Sequence, residues 1–156
     1  MATEHKKILS ENRKARHDFH IDEVIEAGIV LKGTEVKSLR NGRVNLKDSY
    51  ARIKNGEMFV YQMHIGPYPF AYYNNHEPLR PRKLLLHRRE INRLYGKVNE
   101  KGATLVPLRI YFTRGKVKLA LGLARGKRSY DKRDAIRRRD DQRELDRARK
   151  EYTSRY

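Results

Sequence analysis

Residues 105–124 read LVPLRIYFTRGKVKLALGLA, two apolar segments on either side of the dipeptide Arg114-Gly115. In the first segment Leu108, Ile110 and Phe112 fall on alternate positions, which is typical of a strand with one buried face. Turn residues between two such segments, with glycine among them, favour a tight connection of antiparallel strands. The stretch therefore predicts a β-hairpin in an antiparallel sheet.

A second hairpin is predicted where YARIK (50–54) and MFVYQMHI (58–65) flank Asn55-Gly56, because Asn-Gly readily adopts the positive φ angles of a type I′ turn. Upstream, the apolar residues between Phe19 and Leu31 predict a strand that is interrupted at Gly28. Most of the apolar residues lie between Phe19 and Leu123, in short clusters that could line a single modest core.

Helical patterns are short. Val36 and Leu39, followed by Asn41-Gly42, predict one or two helical turns, and apolar residues at three- and four-residue spacing predict a helix over 87–98. Residues 66–83 contain four prolines and predict a long loop. The whole pattern predicts a mainly β fold, an OB-like antiparallel β-barrel with two or three short helices.

Three segments are expected along the chain: a basic N-terminal arm (1–17), the barrel (18–125) and a basic C-terminal tail (126–156). The arm is expected to be flexible unless a partner orders it. From Arg125 to Tyr156 there are 13 Lys and Arg against 7 Asp and Glu, and few apolar residues. Such a tail cannot bury enough surface to order itself, so we expect it to be disordered or helical depending on context, or simply a solvated charged tail.

Charge is the strongest compositional signal. The chain holds 37 Lys and Arg against 19 Asp and Glu, a net charge of +18. This excess indicates a polyanion-binding protein, with nucleic acid as the first candidate and an anionic membrane surface as the second. No apolar run approaches the roughly 18 residues of a membrane helix, so membrane binding is disfavoured. Without a secretory leader pattern or any cysteine, we expect a cytoplasmic protein that has no disulfide.

Motifs for catalysis are missing from the sequence. It contains no Gly-x-Ser-x-Gly, no phosphate-binding glycine-rich loop and no cysteine nucleophile. His17 and His20 are three residues apart but have no third ligand at metal-site spacing, so they are interpreted as surface histidines. We expect neither catalytic residues nor a cofactor nor a metal. An RNA-processing enzyme has only the basic charge in its favour.

RNA binding has further support. Ten tyrosines are available to stack on unpaired bases or to pack in the barrel. Glu26 lies in a basic protein, where it either accepts hydrogen bonds from base amines or a 2′-hydroxyl of RNA or is a structural partner of a nearby arginine. Both readings of Glu26 stay open, and a generic OB-type ribosomal or single-strand RNA binder stays the alternative function.

Ordered motifs resemble the SsrA-binding protein (small protein B) family. They are NRKARH (12–17), EAG (26–28), GTEVKSLR (33–40), DSY (48–50), RKLLL (82–86), LYG (94–96), GK (126–127) and DKR (131–133). The resemblance covers essentially the whole chain in order. It implies an OB-like barrel that binds the tRNA-like domain of transfer-messenger RNA around its D-loop, standing in for missing parts of a tRNA. It also implies delivery of that RNA to stalled ribosomes by a monomer, in trans-translation.

The resemblance also implies the contact residues. RNA-binding positions on the barrel are expected at Arg13, Lys14, Arg16, His17, Glu26, Lys37, Arg40, Leu85, His87 and Lys118. Tail positions expected in the decoding centre and empty mRNA channel are Gly126, Lys127, Tyr130, Asp131, Lys132 and Arg133. Two of these depart from some relatives, which have Asn where this chain has His87 and His where it has Tyr130. The first departure either changes the donor pattern of a base contact or removes that contact, and the second removes a ring that can become cationic.

Overall fold

The strands and helices were assigned on a computed structural model, which describes residues 6–71, 73–126, 139 and 141–150. The strands are β1 (Lys7–Glu11), β2 (Phe19–Ile29), β3 (Val44–Asn45), β4 (Tyr50–Lys54), β5 (Glu57–Tyr61), β6 (His64–Ile65), β7 (Arg82–Leu85), β8 (Thr104–Thr113) and β9 (Lys116–Gly126). The helices are α1 (Arg13–Asp18), α2 (Gly33–Arg40) and α3 (Arg88–Lys101).

Hydrogen bonds join the strands in the order β1-β8-β4-β5-β7-β2-β9, and β9 pairs with β8 as well. The six strands from β8 through β9 therefore close into a ring, with β1 added beside β8. The ladders of β8 with β1, β4 and β9 are antiparallel, as are those of β7 with β5 and β2. The prediction of a mainly β, OB-like antiparallel barrel with short helices is confirmed.

Both predicted hairpins form around left-handed turns. The β4–β5 turn has φ angles of 54° at Asn55 and 76° at Gly56, and the β8–β9 turn has 50° at Arg114 and 71° at Gly115. Positive φ at both central residues is the geometry of a type I′ turn, whose twist matches that of the strands it joins. The turn residues were therefore sufficient to place both connections.

The inside of the barrel is filled by aliphatic and sulfur-containing side chains. Its fully buried members include Leu39, Met58, Val60, Met63, Leu84, Ile110, Leu119 and Leu121. A smaller cluster outside this core joins Ala15 of α1 to Val106, Leu108 and Ala124. The helices pack against the barrel through these two clusters.

The N-terminal residues differ from the expected flexible arm. Strand β1 pairs with β8, from Lys7 opposite Phe112 to Glu11 opposite Arg109. Next to it the buried Asn12 donates its side-chain amide to the carbonyl oxygens of Leu46 at 3.1 Å and Pro107 at 3.0 Å. This segment is ordered because its backbone forms hydrogen bonds with β8, whose edge would otherwise be unpaired. The pairing joins residues far apart in sequence, and the basic composition of the segment gives no sign of it. The expectation of a loose arm is therefore wrong for residues 7–17.

Other boundaries agree with the sequence to within a few residues, with two exceptions. Strand β2 continues through Gly28, and the predicted strand 58–65 divides into β5 and β6, which lie in different sheets. Helix α2 covers the predicted turns, α3 extends the predicted helix to Lys101, and residues 66–71 and 73–81 are irregular up to the start of β7. In the described ranges no helix is long and apolar enough to cross a membrane. The chain divides after Arg125 into two units, and in the second unit residues 141–150 are helical.

Candidate RNA-binding surface

Three of the predicted RNA-binding residues meet in one open groove of about 330 Å³. Arg40 from α2, Leu85 from β7 and Lys118 from β9 all line it. A shallower depression continues from it, where Lys7 of β1 lies beside Arg40. The barrel therefore combines an apolar side chain from β7 with cations from three other elements, a composition suited to a nucleobase and its phosphates.

Leu85 is about half exposed because its neighbour across the ladder is a glycine. Gly28 of β2 is the register partner of Leu85, and a Cβ atom at Gly28 would lie 3.1 Å from the Leu85 Cβ. That distance is shorter than ordinary van der Waals contact. Gly28 therefore leaves the space that Leu85 occupies on the groove wall, with 52% of the leucine exposed.

Glu26 lies two residues before Gly28 in β2. Its Oε2 accepts a hydrogen bond from the Tyr111 hydroxyl, and the Lys6 Nζ lies 3.7 Å from the same oxygen. The side chain is 46% exposed, so solvent or RNA can still reach the carboxylate. Among the described residues the partners of Glu26 are therefore Lys6 and Tyr111, where an arginine was expected, and its contact with RNA stays a prediction.

Helix α1 presents a separate basic group. The Asn12 Oδ1 accepts a hydrogen bond from the Ala15 amide at 3.1 Å and caps the helix, while Ala15 is buried. This anchoring leaves the other side of α1 in solvent with the predicted residues Arg13, Lys14, Arg16 and His17, all of them exposed. These residues are therefore held together by α1, and the groove is built from other elements.

Acidic neighbours accompany two of those side chains. Lys14 Nζ lies 3.4 Å from Asp48, and the His17 Nδ1 lies 3.2 Å from the carboxylate of Asp18. Surface pairs of this kind contribute little to stability, so both side chains remain available to a stronger anionic partner.

Lys37 and His87 occupy two further exposed positions. Lys37 of α2 places its Nζ 5.4 Å from the centre of the Tyr68 ring, which lies in the long loop. His87 is the N-cap residue of α3, and its backbone amide donates to Glu90 at 3.3 Å. Neither residue lines the groove, and their contribution to RNA binding stays a prediction.

The tail positions are nearly all beyond what the structure describes. Gly126 is the last residue of β9 and is exposed. Lys127, Tyr130, Asp131, Lys132 and Arg133 lie outside the described residues. Their expected role in the decoding centre stays a prediction.

Sequence reasoning missed a buried ionic network behind the site. Glu35 of α2 is fully buried and accepts hydrogen bonds from Arg82, from Arg80 at 2.6 Å and from the Lys32 amide at 2.7 Å. Burial by itself raises the pKa of Glu35, but these hydrogen bonds outweigh it and hold the pKa below its ordinary value. Glu35 lies in the motif GTEVKSLR and Arg82 in the motif RKLLL, but nothing in either motif indicates that the two side chains meet.

Metal binding has no structural support in the described part of the chain, where no three His, Cys, Asp or Glu side chains gather to hold an ion. The histidine pair that the sequence raised, His17 and His20, lies on α1 and β2.

Comparison with known proteins identifies the family. The family model for the SmpB protein matches residues 9–151. The SsrA-binding protein of Acetivibrio thermocellus is 61% identical over 97% of this chain and 98% of its own length, and that of Carboxydothermus hydrogenoformans is 62% identical over 91% and 95%. A solved structure described as "tmRNA-SmpB: a journey to the center of the bacterial ribosome" aligns with a TM-score of 0.65 and 55% identity, over 84% of this chain and 95% of that one. On this agreement of sequence, fold and length, the chain belongs to the SmpB family of SsrA-binding proteins.

Proposed function

We propose that this chain binds the tRNA-like domain of transfer-messenger RNA and delivers it to stalled ribosomes for trans-translation. The observation that carries the proposal is the likeness in fold and sequence to the SmpB chain of the solved tmRNA–SmpB structure. The groove with Arg40, Leu85 and Lys118, together with the basic side of α1, supplies the cations and the apolar contact that a folded RNA requires.

The work is divided between two parts of the chain. The barrel holds the D-loop region of the tRNA-like domain, while the tail from Gly126 to Tyr156 acts in the decoding centre and the empty mRNA channel. The division after Arg125 supports this assignment. The protein acts by binding alone, as a monomer in the cytoplasm, and catalyses no reaction.

The test is a chain that ends at Arg125. We expect it to bind the isolated tRNA-like domain with nearly the affinity of the full chain, and to give no peptide tagging in a reconstituted stalled-ribosome reaction. A full-length chain carrying Asp131→Ala, Lys132→Ala and Arg133→Ala serves as the matched variant and should show the same separation. An equal loss of RNA affinity in both variants would refute the division of labour, and RNA cleavage by the purified protein would refute the non-enzymatic role.

A further inference from the structure

Tyr111 of β8 makes a contact that the RNA-binding prediction did not include. Its hydroxyl donates a hydrogen bond to the Glu26 Oε2, although the residue as a whole is only 3% exposed. The Lys6 Nζ lies 5.0 Å from the centre of the Tyr111 ring and 3.7 Å from the same carboxylate oxygen. Three strands therefore converge on one carboxylate: β8 carries Tyr111, β2 carries Glu26, and β1 directs Lys6 to them.

The two contacts use the same side of the carboxylate. Tyr111 bonds to Oε2 and Lys6 approaches Oε2 most closely, while no described residue donates a hydrogen bond to Oε1. An ionised carboxylate has about four acceptor positions, so this arrangement leaves acceptor capacity unused on an exposed side chain. A buried tyrosine also has few rotamers, so its hydroxyl fixes where the carboxylate lies.

A fixed carboxylate has a specific consequence on an RNA-binding surface. Tyr111 is the register partner of Lys118, a residue of the groove, so Glu26 is tethered beside a phosphate-binding face. A negative charge there repels phosphate and weakens indiscriminate binding. The same charge favours an RNA group with N–H or O–H donors, such as a base amine or a 2′-hydroxyl.

We propose that Tyr111 is a specificity-determining residue, which positions Glu26 so that its open oxygen accepts a hydrogen bond from a base or ribose donor of the bound RNA. Lys6 covers the tyrosine and stabilises the charge on the carboxylate. This proposal rests on the proposed function, since it names the group that selects the folded RNA from other RNA.

The test compares affinities for two RNA probes, the transcribed tRNA-like domain of transfer-messenger RNA and a polyuridine strand of equal length. Tyr111→Phe keeps the ring and removes only the hydroxyl. We expect it to weaken binding of the tRNA-like domain about tenfold, the effect of losing one hydrogen bond to a charged group, and to leave polyuridine binding unchanged. Tyr95→Phe is the matched control, because the Tyr95 hydroxyl has no hydrogen bond within the described residues, and it should change neither affinity.

Glu26 variants separate positioning from charge. Glu26→Gln should weaken binding of the tRNA-like domain and strengthen polyuridine binding, and adding Tyr111→Phe to it should cause no further loss. Glu26→Asp keeps the charge but withdraws it by one methylene, and it should lose affinity for the tRNA-like domain as well. These variants remain informative if Tyr111→Phe folds poorly.

The possible results are distinct. Unchanged affinity of Tyr111→Phe for the tRNA-like domain, with a lowered melting temperature, would overturn the proposal and make the contact a structural link between β8 and β2. Wild-type affinity in Glu26→Asp would overturn it too. A wild-type protein that does not prefer the tRNA-like domain to polyuridine would instead refute the proposed function.

Discussion

Glu35 and Arg82 form a hydrogen-bonded ion pair in which neither side chain is exposed to solvent. The pair joins α2 to the first residue of β7, across 47 positions of sequence. Arg82 also donates to the carbonyl oxygens of Met63 at 2.6 Å and Pro78 at 3.2 Å. One side chain thereby links Met63, which precedes β6, and Pro78 of the long loop to α2, the helix that carries Arg40 into the groove.

Arg82→Met should destabilise the fold strongly. Removing one partner leaves a buried carboxylate with less compensation and takes the guanidinium donor from the Met63 carbonyl oxygen, a change that costs about 3–5 kcal/mol in comparable cases. Urea unfolding followed by circular dichroism measures it. Arg52→Met is the control, since Arg52 is exposed and has no ion pair among the described residues, and it should stay within about 0.5 kcal/mol of wild type. A similar small change in Arg82→Met would show that the buried pair is dispensable.

Glu23 should make stability depend on pH in the acid range. A hydrogen bond from Lys97 at 3.0 Å, helped by Arg93 at 2.6 Å, outweighs burial and holds the pKa of Glu23 below its ordinary value. A lowered pKa in the folded state means that the stabilisation is present above the unfolded-state pKa, about 4.3, and is lost as the pH falls through the folded-state value.

The measurement is the urea midpoint between neutral pH and pH values below about 4. Glu23→Gln cannot titrate, so its stability should fall less over that range than the stability of the wild type. Parallel curves for the two proteins would show that Glu23 does not couple α3 to β2 through its charge.

Gly28→Ala should weaken RNA binding without unfolding the barrel. The added methyl group meets the Leu85 Cβ at 3.1 Å, so either the leucine or the ladder must shift by a few tenths of an ångström. The displaced Leu85 changes the groove wall, and we expect a several-fold loss of affinity for the tRNA-like domain.

Gly96→Ala is the matched control for that substitution. A Cβ at Gly96 meets nothing within 4 Å, and the residue lies inside α3. Replacing a helical glycine by alanine stabilises by roughly 1 kcal/mol, so this variant should melt higher and bind RNA as wild type does. Equal RNA affinity in both alanine variants would show that the position of Leu85 does not contribute to RNA binding.

Asn12→Ala should release α1 from the barrel. It removes the helix cap and two buried hydrogen bonds, which we expect to cost about 2 kcal/mol. It should also lower RNA affinity, because the α1 cations lose their shared position. Lys14→Ala provides the contrast: it should leave stability unchanged and weaken binding of all RNA alike, with a salt slope shallower by about one. An Asn12→Ala protein with lower stability and full RNA affinity would exclude α1 from the interface.

Local signals explain what the sequence predicted well. Asn55-Gly56 and Arg114-Gly115 adopt the backbone angles that their residue types allow, and strand alternation around them is a property of neighbouring residues. Helix α3 was predictable for the same reason, from the spacing of its apolar residues. Such features depend on a few consecutive positions.

Pairings over long sequence distances explain what was missed. Asn12 bonds to the carbonyl of Pro107, 95 positions away, and β1 is a strand because β8 has backbone groups to pair with it. Tyr111 and Glu26 are 85 positions apart. A basic N-terminal segment has the same composition whether it is loose or docked, so its own residues could not distinguish the two. Motifs indicated that Glu26, Leu85 and Lys118 matter, while only the structure shows which of them share a groove.

The most direct measurement of the central claim, that the barrel recognises one folded RNA, is a competition experiment with the full-length chain at physiological ionic strength. Labelled tRNA-like domain of transfer-messenger RNA is bound first, and unlabelled elongator tRNA or unlabelled tRNA-like domain is then added in equal excess. We expect the unlabelled tRNA-like domain to displace the labelled RNA and the elongator tRNA to leave it bound. Equal displacement by both competitors would contradict this expectation and leave a basic barrel with general affinity for RNA.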